Sequence, residues 1–302
     1  MAHSLSLVGL CCIAATASLA WPDRTWAWTL QLWLAVPAIL LLGVPHGALD
    51  VPVAQRLFGL DRLRGWLRFG AVYGGLMLAV AALWWAAPTA ALALFLGYSA
   101  LHFGEDWHDE ADPLRRLLYG ATILAAAFLH APQEVAAIFQ MLAPDGGALA
   151  WQLAGVAPWL AITSLSLLLQ EAVRGRSGRA GLELPALIVL GLTVPPLMLF
   201  TIYFCLLHAP RHFADTAGRL HLALRPALAA AVPATLMTGA GAAAAWALIQ
   251  GDAVTGLIRA TFIGLAALTV PHMLLTGLLQ QARHPIKPAG PRSQPISAKT
   301  GR

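Results

Sequence analysis

In the stretch LLHAPRHFAD, His208 and His212 stand four residues apart. On a helix that spacing puts both imidazoles on one face, and such a pair is a frequent way for one helix to offer two nitrogens to one metal ion. Two further histidines carry carboxylates one turn away. His46 in GVPHGALD has Asp50 four residues on, and His102 in YSALHFGEDWH has Glu105 and Asp106 three and four on. Asp215 stands three after His212. Metal-bound imidazoles commonly donate their second N–H to a carboxylate or carbonyl, which fixes the tautomer. The plain alternative is that these acids mark helix ends facing water, and that reading is taken for Asp109, Glu110 and Asp112.

Of the ten histidines, seven sit inside or at the ends of apolar segments: His46, His102, His108, His130, His208, His212 and His272. A charged group at the centre of a membrane helix costs about 2.5 kcal/mol or more on insertion scales, so each needs a reason. His130, with Pro132 and Glu134 close by, reads as a neutral packing histidine. His3 and His284 in terminal segments and His221 in a polar connection carry no functional reading. Three or four imidazoles suit Zn, Cu, Fe or Ni, and spacing does not choose among them. No HExxH occurs, which argues against a zincin-type protease, and no HH pair of the kind expected in membrane di-iron desaturases. Pro210 disturbs an uninterrupted helix through both His208 and His212. If the helix starts near Ala209, proline in its first turn is tolerated and His208 lies at the boundary. Gly43, Gly47 and Gly104 would let backbones approach around a buried site, or simply help helices pack.

These residues must be held by helices in lipid. The chain has 302 residues, 59% hydrophobic and 11% charged, with a mean hydropathy of +0.70; soluble domains carry about 25% charged residues. Only helices and closed barrels satisfy the backbone within a bilayer. The apolar stretches are rich in Leu and Ala and lack strand alternation. The fold class is therefore all-α, a polytopic transmembrane bundle of seven to nine spans. The spans are expected near 5–20, 28–52, 69–87, 89–104, 117–131, 149–170, 182–209, 228–250 and 257–280. Pro195-Pro196 is placed to split the 182–209 stretch, and 117–131 is a candidate for incomplete crossing. Residues 1–20 lack a basic n-region, so a first helix is favoured over a signal peptide ending at Ser18-Leu19-Ala20.

No internal repeat or second domain is evident, so residues 1–282 read as one integral membrane domain. Residues 283–302, with Arg283, Lys287, Arg292, Lys299 and Arg302, read as a disordered basic tail. The net charge of +5 and pI near 9.6 come from loops and this tail, as the positive-inside rule expects, and do not indicate nucleic acid. Arg56, Arg62, Arg64 and Arg68 argue for a cytoplasmic second loop, and the same rule puts 211–226 and the tail on that side. Cys11, Cys12 and Cys205 lie in apolar runs and form no metal motif or disulfide framework. Trp21, Trp26, Trp28 and Trp33 suit an interfacial belt.

GVPHGALD, LHFGED, PPLMLFTIYFCLLHAPRHF and TFIGLAALTVPHM, in that order over about residues 35–275, resemble the signature segments of the Brp/Blh family. Its members are integral membrane β-carotene dioxygenases of bacteria and archaea that form retinal. The resemblance implies oxidative cleavage of the central double bond of β-carotene by dioxygen to two all-trans-retinal, at one non-haem Fe(II). Carried over, the catalytic ligands are His46, His102, His208 and His212. His272, in VPHM, is assigned to the second shell of the site or the substrate channel, with Asp50, Glu105, Asp106 and Asp215 as further neighbours. The family often carries Asp five residues after the histidine of HFG, where this chain has Trp107. A bacterial or archaeal inner-membrane location follows from the resemblance, and a retinal-accepting rhodopsin is the partner it raises. Tyr98, Phe103, Phe200, Tyr203, Phe204 and Phe262 are candidates to line a polyene tunnel, although aromatics in membrane helices also pack against neighbours or lipid. The contrasting class is a haem-binding or transport protein using intramembrane histidines as axial ligands or proton carriers.

Overall fold

A computed structural model describes residues 2–20, 28–176, 178–249 and 251–282. The tail from 283 onward, with His284, and the belt residues Trp21 and Trp26 lie outside these. The described chain is helical. It begins with α1 (Ala2–Ala20) and α2 (Trp28–Ala38), which passes through a π-helical turn, Ile39–Gly43, into the short α3 (Pro45–Ala48) and α4 (Asp50–Phe58). There follow α5 (Leu63–Ala86), α6 (Pro88–Gly104), a 3-10 turn (Glu105–Trp107), α7 (Pro113–Ala126), α8 (Pro132–Leu142) and α9 (Gly146–Val173). The second half contains α10 (Ala180–Gly191), α11 (Pro196–Tyr203), a second π-helical turn (Phe204–His208), α12 (Ala209–Arg219), α13 (Leu224–Leu248) and α14 (Ala253–Gln281).

Local chemistry sets these boundaries. Proline stands in the first turn of α6, α7, α8 and α11, where its missing N–H costs nothing and its φ is already helical. Asp112 caps α7 by accepting from the Leu114 N–H at 2.9 Å, and Asp252 caps α14 through the Thr255 N–H at 2.9 Å. Gly59, at φ +57°, ends α4 in the left-handed region that favours glycine.

Six helical stretches are long and apolar enough to cross a membrane: Trp28–Phe58, Leu63–Ala86, Gly146–Val173, Pro196–Arg219, Leu224–Leu248 and Ala253–Gln281. Two shorter apolar helices, Ser4–Ser18 and Ala180–Gly191, occupy other stretches expected to span. The 182–209 stretch is split, as Pro195-Pro196 suggested, between α10 and α11. The α7 helix has 14 residues, roughly 21 Å at about 1.5 Å per residue, short of the ~30 Å hydrocarbon core. Several boundaries differ from expectation: the stretch expected over 28–52 runs to Phe58, α5 begins at Leu63 rather than 69, and α8 lies between the stretches expected at 117–131 and 149–170. Residues 211–219 continue the helix from α11 rather than forming a polar connection.

Burial sorts the spans by role. In the most apolar window of Leu63–Ala86 only 6% of residues are buried, and in Leu224–Leu248 11%; for Pro196–Arg219 the share is 61% and for Trp28–Phe58 44%. The first pair turns apolar side chains outward, the arrangement lipid requires, and the second pair forms the interior that carries His46, His208 and His212. A large hydrophobic core joins α1, α2 and α6–α11. Smaller clusters join α3 to α12 and α13 around Leu49 and Phe213, and α4 to α14 around Val53 and Leu275. The α6–α7 contact is close because Gly104 and Gly120 have no Cβ. One added at Gly104 would lie 2.6 Å from the Arg116 carbonyl oxygen, and one at Gly120 would overlap that of Ala100.

Candidate metal centre

Five elements bring five imidazoles together. His46 lies on α3 directly after the first π-turn, and His102 near the C-terminal end of α6. His208 ends the second π-turn, His212 follows one helical turn later on α12, and His272 comes from α14. Pro210 lies inside the continuous helix Pro196–Arg219, directly after the second π-turn, whose wider turn makes room for its ring, and His208 stands at the junction of that turn with α12. Ring centroids lie 4.5 Å apart for His208–His212, 4.6 Å for His102–His208, 4.9 Å for His102–His212, 5.1 Å for His46–His272 and 5.3 Å for His46–His208. Two overlapping groups have ligand nitrogens all within 4.8 Å of one another: His46, His102 and His272, and His102, His208 and His212.

Hydrogen bonds fix which nitrogen three of the five rings present. His46 Nδ1 lies 2.5 Å from the Gly43 carbonyl, His208 Nδ1 lies 3.1 Å from Asp106 Oδ2, and His272 Nδ1 lies 2.8 Å from Asp50 Oδ1. A carbonyl or carboxylate only accepts, so each Nδ1 donates and each Nε2 keeps a lone pair. The Nε2 atoms of His102 and His208 are 3.1 Å apart. Two nitrogens each about 2.1 Å from a common ion would stand roughly 3.0–3.4 Å apart. Buried neutral donors at that spacing fit a divalent first-row cation.

Asp106 is the hub of the supporting shell. Its Oδ2 also accepts from Tyr203 Oη at 2.5 Å, and its Oδ1, buried with no hydrogen-bond partner among the described residues, is 3.7 Å from His212 Nε2. The 3-10 turn turns Asp106 toward the histidines and the next side chain, Trp107, inward, where its indole N–H donates to Glu183 Oε2 at 3.0 Å. Arg211 forks onto Glu183, with Nη1 3.0 Å from Oε2. Asp50 is held on its other oxygen by Tyr73 Oη at 2.8 Å.

Two pairings expected from spacing are therefore replaced. Asp50 serves His272 rather than His46, because the helix breaks at Leu49 between α3 and α4. His212 has Asp106 nearest, whereas Asp215 is half-exposed and pairs with Arg219 at 2.6 Å. Glu105 turns to Arg116, 3.6 Å away. Neither Glu105 nor Asp215 reaches the rings. Asp109 pairs with Arg179 at 3.1 Å, and Glu110 and Asp112 lie beside Arg115, the solvated helix-end role expected of them. Glu183, Arg211 and Tyr73 were not singled out from sequence, and Trp107 only as the departure from the family's Asp. Glu183, the lone carboxylate inside an apolar run, carried a usable signal, since buried ionisable residues in such runs need partners.

The aromatics divide. Phe204 stacks on His208 (centroids 5.6 Å, interplanar 19°), Phe200 stacks on Phe204 (5.3 Å, 11°), and Phe262 leans on Phe200 (5.3 Å), a file leading away from the histidines. Phe103 packs edge-on to His208 at 5.0 Å. Tyr203 is committed to Asp106. Tyr98 stands one turn before His102 on α6, half-buried. Gly43 matters here, since a Cβ would overlap the Phe204 ring.

Residues 37–280 match the family model described as beta-carotene 15,15′-dioxygenase. The chain is 28% identical over 255 residues to the beta-carotene 15,15′-dioxygenase of an uncultured marine bacterium, covering 80% of this chain and 92% of the relative. It is 27% identical over 279 residues to the probable beta-carotene 15,15′-dioxygenase Blh of Halobacterium salinarum, covering 79% and 81%. No solved structure matches the chain.

Proposed function

Since this chain belongs to the beta-carotene 15,15′-dioxygenase family, we propose that it cleaves the central double bond of β-carotene with dioxygen to give two all-trans-retinal, at a non-haem Fe(II) held by His46, His102, His208 and His212. The observation that carries this reading is the convergence of those four imidazoles inside an apolar helical bundle: every pair of their ring centroids lies within 6.5 Å, and His102, His208 and His212 offer nitrogens within 4.8 Å of one another. When bound, ferrous iron supplies the activation of dioxygen.

The chain's own residues do the rest. Gly43 and Asp106 hold the His46 and His208 rings so that each points Nε2 inward. The Phe204, Phe200 and Phe262 file offers an apolar track on which a polyene, itself about as long as the ~30 Å hydrocarbon core, can be laid beside the histidines. Burial excludes water, which protects a reaction in which each carbon of the broken bond leaves as an aldehyde carrying one atom of the dioxygen. No external reductant enters that balance. The substrate is taken from the bilayer of a bacterial or archaeal cell, and a retinal-accepting rhodopsin in the same membrane is the consumer we propose.

The haem alternative fits the geometry less well. Axial histidines stand on opposite faces of a porphyrin, with nitrogens about 4 Å apart across it (two ligand bonds of ~2.0 Å). Here His102 and His208 approach to 3.1 Å and further rings fill the flanks.

Expression in a β-carotene-accumulating host with chromatographic analysis tests the activity. Retinal should appear as carotene falls, and detergent-purified protein should contain iron without a Soret band. Undiminished carotene with no retinal, or bound porphyrin, would overturn the proposal.

A further inference from the structure

His272 has an unspent nitrogen. Its Nε2 is buried and has no hydrogen-bond partner among the described residues, a condition that costs stability when nothing relieves it. Nδ1 is committed to Asp50, so Nε2 carries a lone pair, and the ligand nitrogens of His272, His46 and His102 lie within 4.8 Å of one another. The His46 ring, perpendicular to His272 at 5.1 Å, also presents Nε2, because its Nδ1 donates to Gly43. Lone pairs converging in a dry space repel unless positive charge sits between them.

Resting on the four-histidine reading above, we propose that His272 is a fifth nitrogen donor to the same cation, aimed by an Asp50–Tyr73 pair. The pair is built to hold a ring still. Asp50 is buried, one carboxylate oxygen takes the His272 Nδ1–H at 2.8 Å, and the other takes the Tyr73 hydroxyl at 2.8 Å, so neither oxygen is free to let the ring turn. The three residues come from α14, α4 and α5, three separate elements converging on one nitrogen. A packing histidine would need no such support. A doubly protonated His272 would leave a buried Nε2–H with no acceptor. Donation to a cation answers both points.

Chelator-stripped wild-type protein, titrated in detergent with Co(II) as a spectroscopic probe, separates the outcomes without requiring activity. His272→Ala should weaken Co(II) binding about tenfold or more and change the band positions and intensity of the visible spectrum. Added imidazole should restore both, which a purely structural defect would not allow. Asp50→Asn, nearly isosteric, should weaken binding roughly 10–100-fold, the usual effect of removing a ligand's outer partner. Tyr73→Phe should produce a smaller loss in the same direction. If His272→Ala and Asp50→Asn both bind Co(II) with wild-type affinity and spectrum while His208→Ala does not, the fifth donor is wrong and the four-histidine site stands. If wild-type protein itself takes up no Co(II), the four-histidine reading falls and this inference with it.

Discussion

His208 is enclosed on every side. Phe204 lies on its face, Phe103 meets its edge, and Asp106 holds Nδ1. His208→Ala or His212→Ala should abolish retinal formation in carotene-producing cells and lower the iron bound by purified protein; normal yield from either variant removes it from the ligand set. Asp106→Asn keeps the shape but weakens the grip on His208, and iron affinity should fall roughly 10–100-fold, measured by metal titration. Glu183→Leu leaves Arg211 facing an apolar wall. Breaking a buried pair from one side costs roughly 3–5 kcal/mol, and Arg211 is partly exposed, so the loss should sit at or below the low end, read as a lowered unfolding temperature in detergent. Sequence exposed the histidines because each interrupts an apolar run. It concealed their partners, since Asp50 and His272 are 222 residues apart and Asp106 and His208 102, and an i, i+4 spacing means a shared face only where the helix is unbroken.

At the scale of elements, both π-helical turns end at or just before a histidine of the cluster, and they pack against each other. A π-turn widens the helix and shifts the side chains that follow, and here it sets His46 and His208 toward one point. Prolines were legible as boundaries in part: the break before Pro196 followed from them, whereas Pro210 interrupts no helix. The π-turns were not legible, because Ile39–Gly43 and Phe204–His208 are apolar runs with no residue type peculiar to a wider turn. Two substitutions separate these roles. Gly43→Ala forces a methyl into the Phe204 ring and should move both the ring and the carbonyl that holds His46, lowering iron content and retinal yield together. Pro210→Ala, by contrast, removes a ring that the second π-turn already accommodates within the continuous helix. It should leave metal content and yield near wild type, and a large loss would mean that proline shapes the second π-turn.

The whole molecule departs from the soluble pattern: long helices turn large apolar side chains outward. Leu78 is 71% exposed and Leu63 74%, so in water the two positions would tolerate charge equally. In a bilayer they differ by depth. Leu78 lies two-thirds of the way along α5, within its apolar stretch, whereas Leu63 begins the helix between Arg62 and Arg64. An arginine well inside the hydrocarbon costs about 2.5–3.5 kcal/mol on insertion scales, and near the interface its side chain reaches the headgroups. Leu78→Arg should therefore cut the yield of membrane-integrated protein sharply, while Leu63→Arg should be recovered at close to the wild-type amount. Equal recovery of both in the membrane fraction would mean that the outer face of α5 does not meet lipid. A site fed from the bilayer would then lose its entry path, however well the histidines are placed.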